Sequence, residues 1–423
     1  MSDKLAPRPW MNGEATRAVF AALEADGGAG CARFVGGCVR DALLRRDGPE
    51  IDIDIATTLT PERTVKALEL NGIKAIPTGI EHGTITAIVA GKPYEITTLR
   101  RDVETDGRRA VVAFTTDWAE DAARRDFRLN ALYADPDGTL HDPTGDGVAD
   151  ARAGRIVFVG DAETRIREDY LRVLRFFRFF ASYGKGEPDA AALSACAALK
   201  DGLATLSGER VSKELLKLLA AEDPRPAVRM MAASGVLSVI LPEAGPLGRF
   251  ERLVGVETEM LFTCDAELRL AALLVEDRQA VASAAKRLRL SNQLRDRLLA
   301  TVPDQVRPDQ VRIVSWMSPR EMRRGIWKLG ASVFRDRVKL AWAASERPVT
   351  APQWRMLLIY PDTWTPPPFP ISGEEIKASG VPEGPLVGQV RREVEEWWLD
   401  LDFTDDKMAA IERLKAVAQG LAY

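Results

Sequence analysis

The chain has 423 residues and a mass of 46.5 kDa, too long for one compact core, so three or four units are expected. Hydrophobic residues make up 46% and charged residues 28%, which excludes long disordered tails, collagen-like repeats and disulfide miniproteins. With 58 Lys plus Arg against 62 Asp plus Glu the net charge is −4; this excludes a strongly basic nucleic-acid coat but leaves room for a local basic face. The N-terminal stretch lacks the apolar segment of a signal peptide, and no later run is apolar enough for long enough to span a bilayer. A soluble, cytoplasmic protein is expected.

In the first part of the chain, strand and helix signals alternate. Helices are predicted at about 13–26, 38–46 and 60–71, the last opened by Thr60 as N-cap with Pro61 at the first helical position. Strands are predicted at 50–56, 84–90, 94–99 and 156–159, each β-branched or alternating and bounded by Gly or Pro. Residues 101–113, polar and of mixed charge, read as a mobile loop. From 162 onward strand signals nearly vanish. Apolar residues at Ile166, Tyr170, Val173, Leu174, Phe177 and Phe180 predict one helical stretch over 162–183. More helices are expected at 209–221, 223–235, 265–276, 279–290 and 292–301, and from a Ser318–Glu321 capping box to about 329. The prolines of 361–370 predict a rigid connector, followed by helices at 373–379, 384–399 and 404–420.

Cysteines and histidines narrow the chemistry. Cys31, Cys38, Cys196 and Cys264 form no CxxC pair, so neither a zinc knot nor a disulfide framework is expected. Only His82 and His141 are present, and both read as turn or structural residues. Any metal must be held by oxygen.

The most informative feature is Asp52-Ile53-Asp54. On a strand, residues two apart share a face, so both carboxylates point one way while Ile51, Ile53 and Ile55 face a core. Two adjacent carboxylates repel unless a cation neutralises them, and Mg2+ is the hard ion that suits carboxylates, waters and phosphates. Just upstream, Gly36-Gly37-Cys38-Val39-Arg40-Asp41 follows an apolar run; glycines there let backbone N–H groups approach an anion, with Arg40 in reach of the same phosphates. A third acid, Glu95, interrupts an apolar strand pattern where it could complete the metal site.

These blocks resemble the class II branch of the nucleotidyltransferase superfamily, which holds tRNA CCA-adding enzymes and bacterial poly(A) polymerases. The likeness runs through Gly36–Asp41, Asp52 and Asp54, Glu95–Arg100, Arg124–Ala131, Asp142-Pro143, Glu168–Arg175 and Glu209, Arg210 and Glu214, in the family's order. It implies an α+β protein: a small nucleotidyltransferase-type head with a mixed or antiparallel sheet (1–155), then an all-helical neck with nucleobase recognition (156–222), body (223–360) and tail (361–423). By the family pattern, Asp52 and Asp54 hold catalytic Mg2+ and Glu95 supports activation of the attacking 3′-hydroxyl. Gly36, Gly37, Arg40 and Arg125 grip the nucleotide, and Asp126 and Asn130 sense the ribose. Asp169 and Arg172, three apart on a helix, read the base edge, with Arg175 holding Asp169 in position. Phe176, Phe177, Phe179 and Phe180 read as core.

The implied activity is addition of CCA to tRNA from CTP and ATP without a nucleic-acid template. Poly(A) tailing, or addition of A alone, is the alternative. The stretch Pro77–Thr84 lacks the basic segment associated with tailing, and the acidic net charge disfavours gripping RNA of any sequence through many phosphates. An idle RNA-binding relic would have no use for all three acids. Lys286, Arg287, Arg289, Arg295 and Arg297, and the Gly384-Pro385 helix start, are candidate tRNA contacts.

Overall fold

The structure, a computed structural model, describes residues 4–46, 48, 51–105, 110–260, 262–303, 311–345 and 351–420. The chain forms two compact units, Met1–Ala244 and Gly245–Tyr423. Among the described residues of the first, the strands are β1 (Ala32–Val35), β2 (Asp54–Thr57), β3 (Lys74–Gly79), β4 (Thr84–Val89), β5 (Lys92–Thr98), β6 (Arg100–Thr105), β7 (Ala110–Phe114), β8 (Tyr133–Ala134) and β9 (Leu140–His141). Seven form one mixed sheet in the order β3-β4-β5-β2-β1-β8-β9, while β6 and β7 pair as a separate hairpin.

One parallel pair organises this sheet. β2 runs parallel to β5 with Asp54 opposite Glu95 and Ile55 opposite Ile96; the other paired neighbours are antiparallel. A parallel pair needs a crossover, supplied here by helix Pro61–Leu70 and then β3 and β4. That helix starts as its sequence dictates: Thr60 Oγ1 accepts from the Arg63 amide at 3.4 Å, and Pro61 takes the first turn, where its missing N–H costs nothing. Of the three isoleucines expected to face a core, Ile53 and Ile55 are buried and Ile51 is half-buried; the strand expected over 50–56 begins only at Asp54, which is half-buried, so the exposed Asp52 precedes it.

Three local expectations are corrected. Residues 156–159 make no strand, only an isolated bridge between Phe127 and Phe158. Their apolar side chains are buried by ring packing instead, Phe158 lying 4.8 Å from Phe127 and 6.1 Å from Phe176, centroid to centroid. Residues 101–113 are not a simple loop, because β6 and β7 flank 106–109, which lie outside the described residues. The β-prone run Ala110–Phe114 explains the pairing.

The third correction matters most. Helix 162–183 is two helices, Ala162–Glu168 and Leu171–Tyr183, with Asp169 extended between them at φ −155°, ψ 105°. Asp169 Oδ1 accepts from the Leu171 amide at 3.1 Å, so the aspartate satisfies the backbone of a new helix instead of continuing the old one. Phe176, Phe177, Phe179 and Phe180 are all buried. As expected, they pack in the core.

The second unit shows no strand among the described residues. Its helices include Ala266–Leu273, Arg278–Arg287, Asn292–Thr301, Pro319–Leu329 and Pro385–Asp400. Ser318 and Glu321 cap each other as the capping-box pattern requires. Helices Gly248–Glu259, Ala331–Ala344 and Ala351–Thr363 were not anticipated. The last contains Pro361, so the expected connector begins only after Thr363; two turns of buried Trp354, Leu357 and Leu358 precede that proline. Arg297 is held by Asp265, Glu267 and Asp336, which makes it a structural hub.

Candidate active site

The site lies in the first unit, where Asp54 at the start of β2 borders a cavity of about 570 Å3; neither Asp52 nor Glu95 is part of its lining. Its floor is the turn after β1. Gly36 adopts φ +70° there, a left-handed conformation that a side chain strains. A Cβ at Gly36 would lie 3.7 Å from Arg125 Nη1 and 3.8 Å from the Asn130 carbonyl, so backbone approaches backbone at this turn.

On one wall stands Asp54. Burial raises its carboxyl first, the neighbouring Glu95 and Asp52 charges raise it further, and Arg125 counteracts them; the result is about 6 against the usual 3.8. Burial and neighbouring acid charge together outweigh the one cation that acts on this carboxyl. Among the described residues no three His, Cys, Asp or Glu side chains are close enough to form a complete ligand set. A divalent ion here would therefore take one or two carboxylates from the Asp52–Asp54 pair and fill its remaining positions with water or phosphate, which is how Mg2+ is commonly bound. The donor chemistry fits.

The rest of the lining is basic. Arg40, Arg124, Arg125, Arg172, Arg175, Arg178 and Arg210 face the cavity against three carboxylates, Asp54, Asp126 and Asp169. Such an excess of guanidinium groups suits a multiply charged anion.

Each candidate residue has a definite place. Arg40 is buried and engaged: it donates to Asp41 at 2.9 and 3.0 Å, to Asn130 Oδ1 at 2.6 Å and to the Tyr183 hydroxyl at 2.7 Å, and packs over the Tyr183 ring at 4.1 Å. Asn130 passes the chain on, donating to Asp126 Oδ1 at 3.0 Å. Asp126 also accepts from Arg175 Nε at 2.7 Å. Burial opposes ionisation of Asp126, but Arg175 and these hydrogen bonds more than offset it and hold the carboxyl below its usual range. The pair expected at the ribose is thus the centre of a protein network.

The expected Arg175–Asp169 contact does not form, because Arg175 is spent on Asp126. Asp169 is instead held by Arg210 of helix Gly208–Leu219 at 2.7 Å. Nor do Asp169 and Arg172 share a helix face. Arg172 donates to Glu168 at 2.5 Å and to the carbonyls of Arg165 and Arg124 at 2.8 and 3.2 Å. Both groups line the same cavity all the same. Glu214 lies buried within 2.6 Å of Arg178. His82 ends a 3-10 turn and His141 bonds Asp135 at 2.7 Å, in keeping with structural roles.

Sequence reasoning missed Asp121, Tyr133, Arg178 and Tyr183. Asp121 accepts from Arg124 Nε at 2.8 Å, from Arg125 Nη2 at 2.9 Å and from the Tyr133 hydroxyl at 2.7 Å. Burial would raise its carboxyl, yet Arg125 and Arg124 bring it down to about 2. An acid four residues before Arg125 on helix Trp118–Ala123 was the available signal.

An Asp-x-Asp pair leading into a strand beside a glycine turn, on a mixed sheet with an arginine-lined cavity, defines a nucleotidyltransferase-type head. Comparison with known proteins agrees. Residues 32–157 match the family described as the poly A polymerase head domain, and 187–246 match a probable RNA and SrmB-binding site of polymerase A. The mouse (Mus musculus) mitochondrial CCA tRNA nucleotidyltransferase 1 is 34% identical over 390 residues, covering 90% of this chain and 86% of its own. The CCA-adding enzyme of Streptococcus sanguinis (strain SK36) is 36% identical over 266 residues, 62% of this chain and 64% of that one. Among solved structures, the Bacillus stearothermophilus CCA-adding enzyme in complex with CTP superposes with a TM-score of 0.72 at 25% identity, covering 96% of this chain and 99% of that one. The chain belongs to the family of CCA-adding tRNA nucleotidyltransferases.

Proposed function

We propose that the protein completes tRNA by adding the 3′-terminal CCA from CTP and ATP, with Mg2+ held at Asp52 and Asp54. The observation that carries this reading is the parallel register of Asp54 and Glu95 beside an arginine-lined cavity, in a chain related over most of its length to enzymes of that name. Bound there, Mg2+ would supply Lewis-acid polarisation of the α-phosphate and of the attacking hydroxyl.

The chain's own residues do the rest. Gly36 and Gly37 admit the triphosphate against the backbone, and Arg125 offers the Nη1 edge that faces this turn. Glu95, beside Asp54, is the acceptor for the proton of the tRNA 3′-hydroxyl. Arg40, Asn130, Asp126 and Arg175 form a braced wall for the sugar. At the far end Asp169 supplies acceptors and Arg172 a forked donor, the inventory needed to read the edges of C and A. In this reading residues 1–155 act as head, 156–222 as neck, 223–360 as body and 361–423 as tail, and the protein works in the cytoplasm; no helix among the described residues is long and apolar enough to cross a membrane.

The test feeds purified protein a tRNA lacking its 3′ end, with each labelled triphosphate alone and then both. Two C additions with CTP, and one further A when ATP is present, are expected. Long A-tracts on unstructured RNA would assign it to poly(A) tailing, and A on a tRNA ending in CC but no C addition would assign it to A-addition alone.

A further inference from the structure

Asp121, in contact with the cavity-lining Arg124 and Arg125, is almost fully buried; its exposure is 1%. Five donors converge on it: Arg124, the Nε and Nη2 of Arg125, the Tyr133 hydroxyl, and the backbone amide of Arg100 at 3.2 Å. Arg100 is the first residue of β6, the root of the hairpin. Arg125 lies between two acids, because the side chain that Asp121 grips also borders the cavity that Asp54 lines. The fork is taken on one side by Asp121, while Nη1 faces the Gly36 turn. Tyr133 adds to the clamp, its hydroxyl 3.2 Å from Arg125 Nε and its ring 5.3 Å from the guanidinium.

We propose that Asp121 is a positioning residue that holds Arg125 at the glycine turn and off Asp54. The inference rests on the reading of Asp52 and Asp54 as a divalent-ion site. The physical argument is competition. Without the Asp121 charge, Arg125 is drawn to Asp54, the acid whose charge it already offsets, and a guanidinium paired there neutralises the carboxylate that a metal ion needs. Loss of Asp121 therefore weakens the metal site by freeing a cation, although Asp121 itself ligates nothing.

The experiment measures Mn2+ binding to the full chain by electron paramagnetic resonance, with triphosphate KM and kcat alongside. Wild type and Asp54→Asn come first: if wild type binds no Mn2+, or Asp54→Asn binds it equally well, the metal-site reading itself fails. Given that site, Asp121→Asn is expected to weaken Mn2+ binding on the order of tenfold and to raise KM for triphosphate. The double variant Asp121→Asn/Arg125→Gln should recover Mn2+ binding while KM stays high, because the competing cation is gone but the phosphate contact is too. Tyr133→Phe, which leaves the charge in place, should lower thermal stability with little change in Mn2+ affinity. Unchanged Mn2+ binding in Asp121→Asn, or no recovery in the double variant, overturns the proposal. Should Asp121→Asn not fold, the double variant is expected to fold, having lost the uncompensated cation. Its failure to fold would make Asp121 merely structural and also overturn the proposal.

Discussion

The two ends of the cavity handle charge in opposite ways. At the acid end, burial and the charges of Glu95 and Asp52 outweigh the opposing Arg125, and Asp54 is driven up to about 6. At the helical junction each charge already has a partner: Asp169 has Arg210, Arg172 has Glu168, and Arg175 has Asp126. An end left out of balance awaits a ligand that brings opposite charge. A balanced end must exchange partners when a base arrives, so it can discriminate without gripping.

The largest expected effect breaks the acid end. Asp54→Asn should cut nucleotide addition to below about a thousandth of wild type, while the metal-free protein becomes more stable near neutral pH. The sign follows from the raised carboxyl. Its folded value, about 6, exceeds the unfolded value, 3.8, so the native state binds more protons and stability falls as pH rises between the two. Removing the charge should therefore raise stability by about 1–3 kcal/mol at neutral pH, and the gain should vanish below about pH 4. Thermal melts at several pH values check this; equal melting of both proteins throughout would mean that Asp54 is not under strain.

Next comes the brace between the two ends. Asp126→Ala leaves Arg175 and Asn130 without their acceptor and should destabilise the first unit by about 2–3 kcal/mol, read as a shifted denaturant midpoint. At the junction, Arg172→Ala should lower discrimination between CTP and ATP by about 1.5–3 kcal/mol in the ratio of kcat/KM values, with a smaller change in overall turnover. Retention of strict C-C-A order in this variant would contradict a base-reading role. Smallest in stability is Arg210→Ala. Its ion pair with Asp169 is partly solvent-exposed and worth less than about 1 kcal/mol, yet an unleashed Asp169 should alter nucleotide choice measurably.

How much of this was legible in the chain differs between the same two ends. Around the acid strand the alternation is local, so the burial of Ile53 and Ile55 and the exposure of Asp52 could be read from sequence, although the strand itself begins only at Asp54. The pairing of Asp54 with Glu95 needed only the family order of the motifs. At the junction, periodicity misled. Ile166 to Phe180 keep helical spacing through a break, because two successive helices present the same apolar face to one core while Asp169 lies extended between them and accepts from the Leu171 amide. Which arginine meets which acid was illegible for a related reason: in this lining, seven arginines compete for a few acids, and the winners are set by tertiary distance. The hairpin β6–β7 was hidden by charged composition, and the helix over Pro361 by the rule that prolines end helices, which fails within a helix's last turn.

The central claim is that the acid end receives the metal and triphosphate while the arginine wall closes round them. The most direct measurement is a crystal structure grown with CTP and Mn2+, read from the anomalous scattering of manganese. The account predicts an anomalous peak against Asp52 and Asp54, with the triphosphate between the Gly36–Gly37 turn and Arg125. A guanidinium lying on Asp54 in place of that peak, with the nucleotide bound elsewhere, would contradict it.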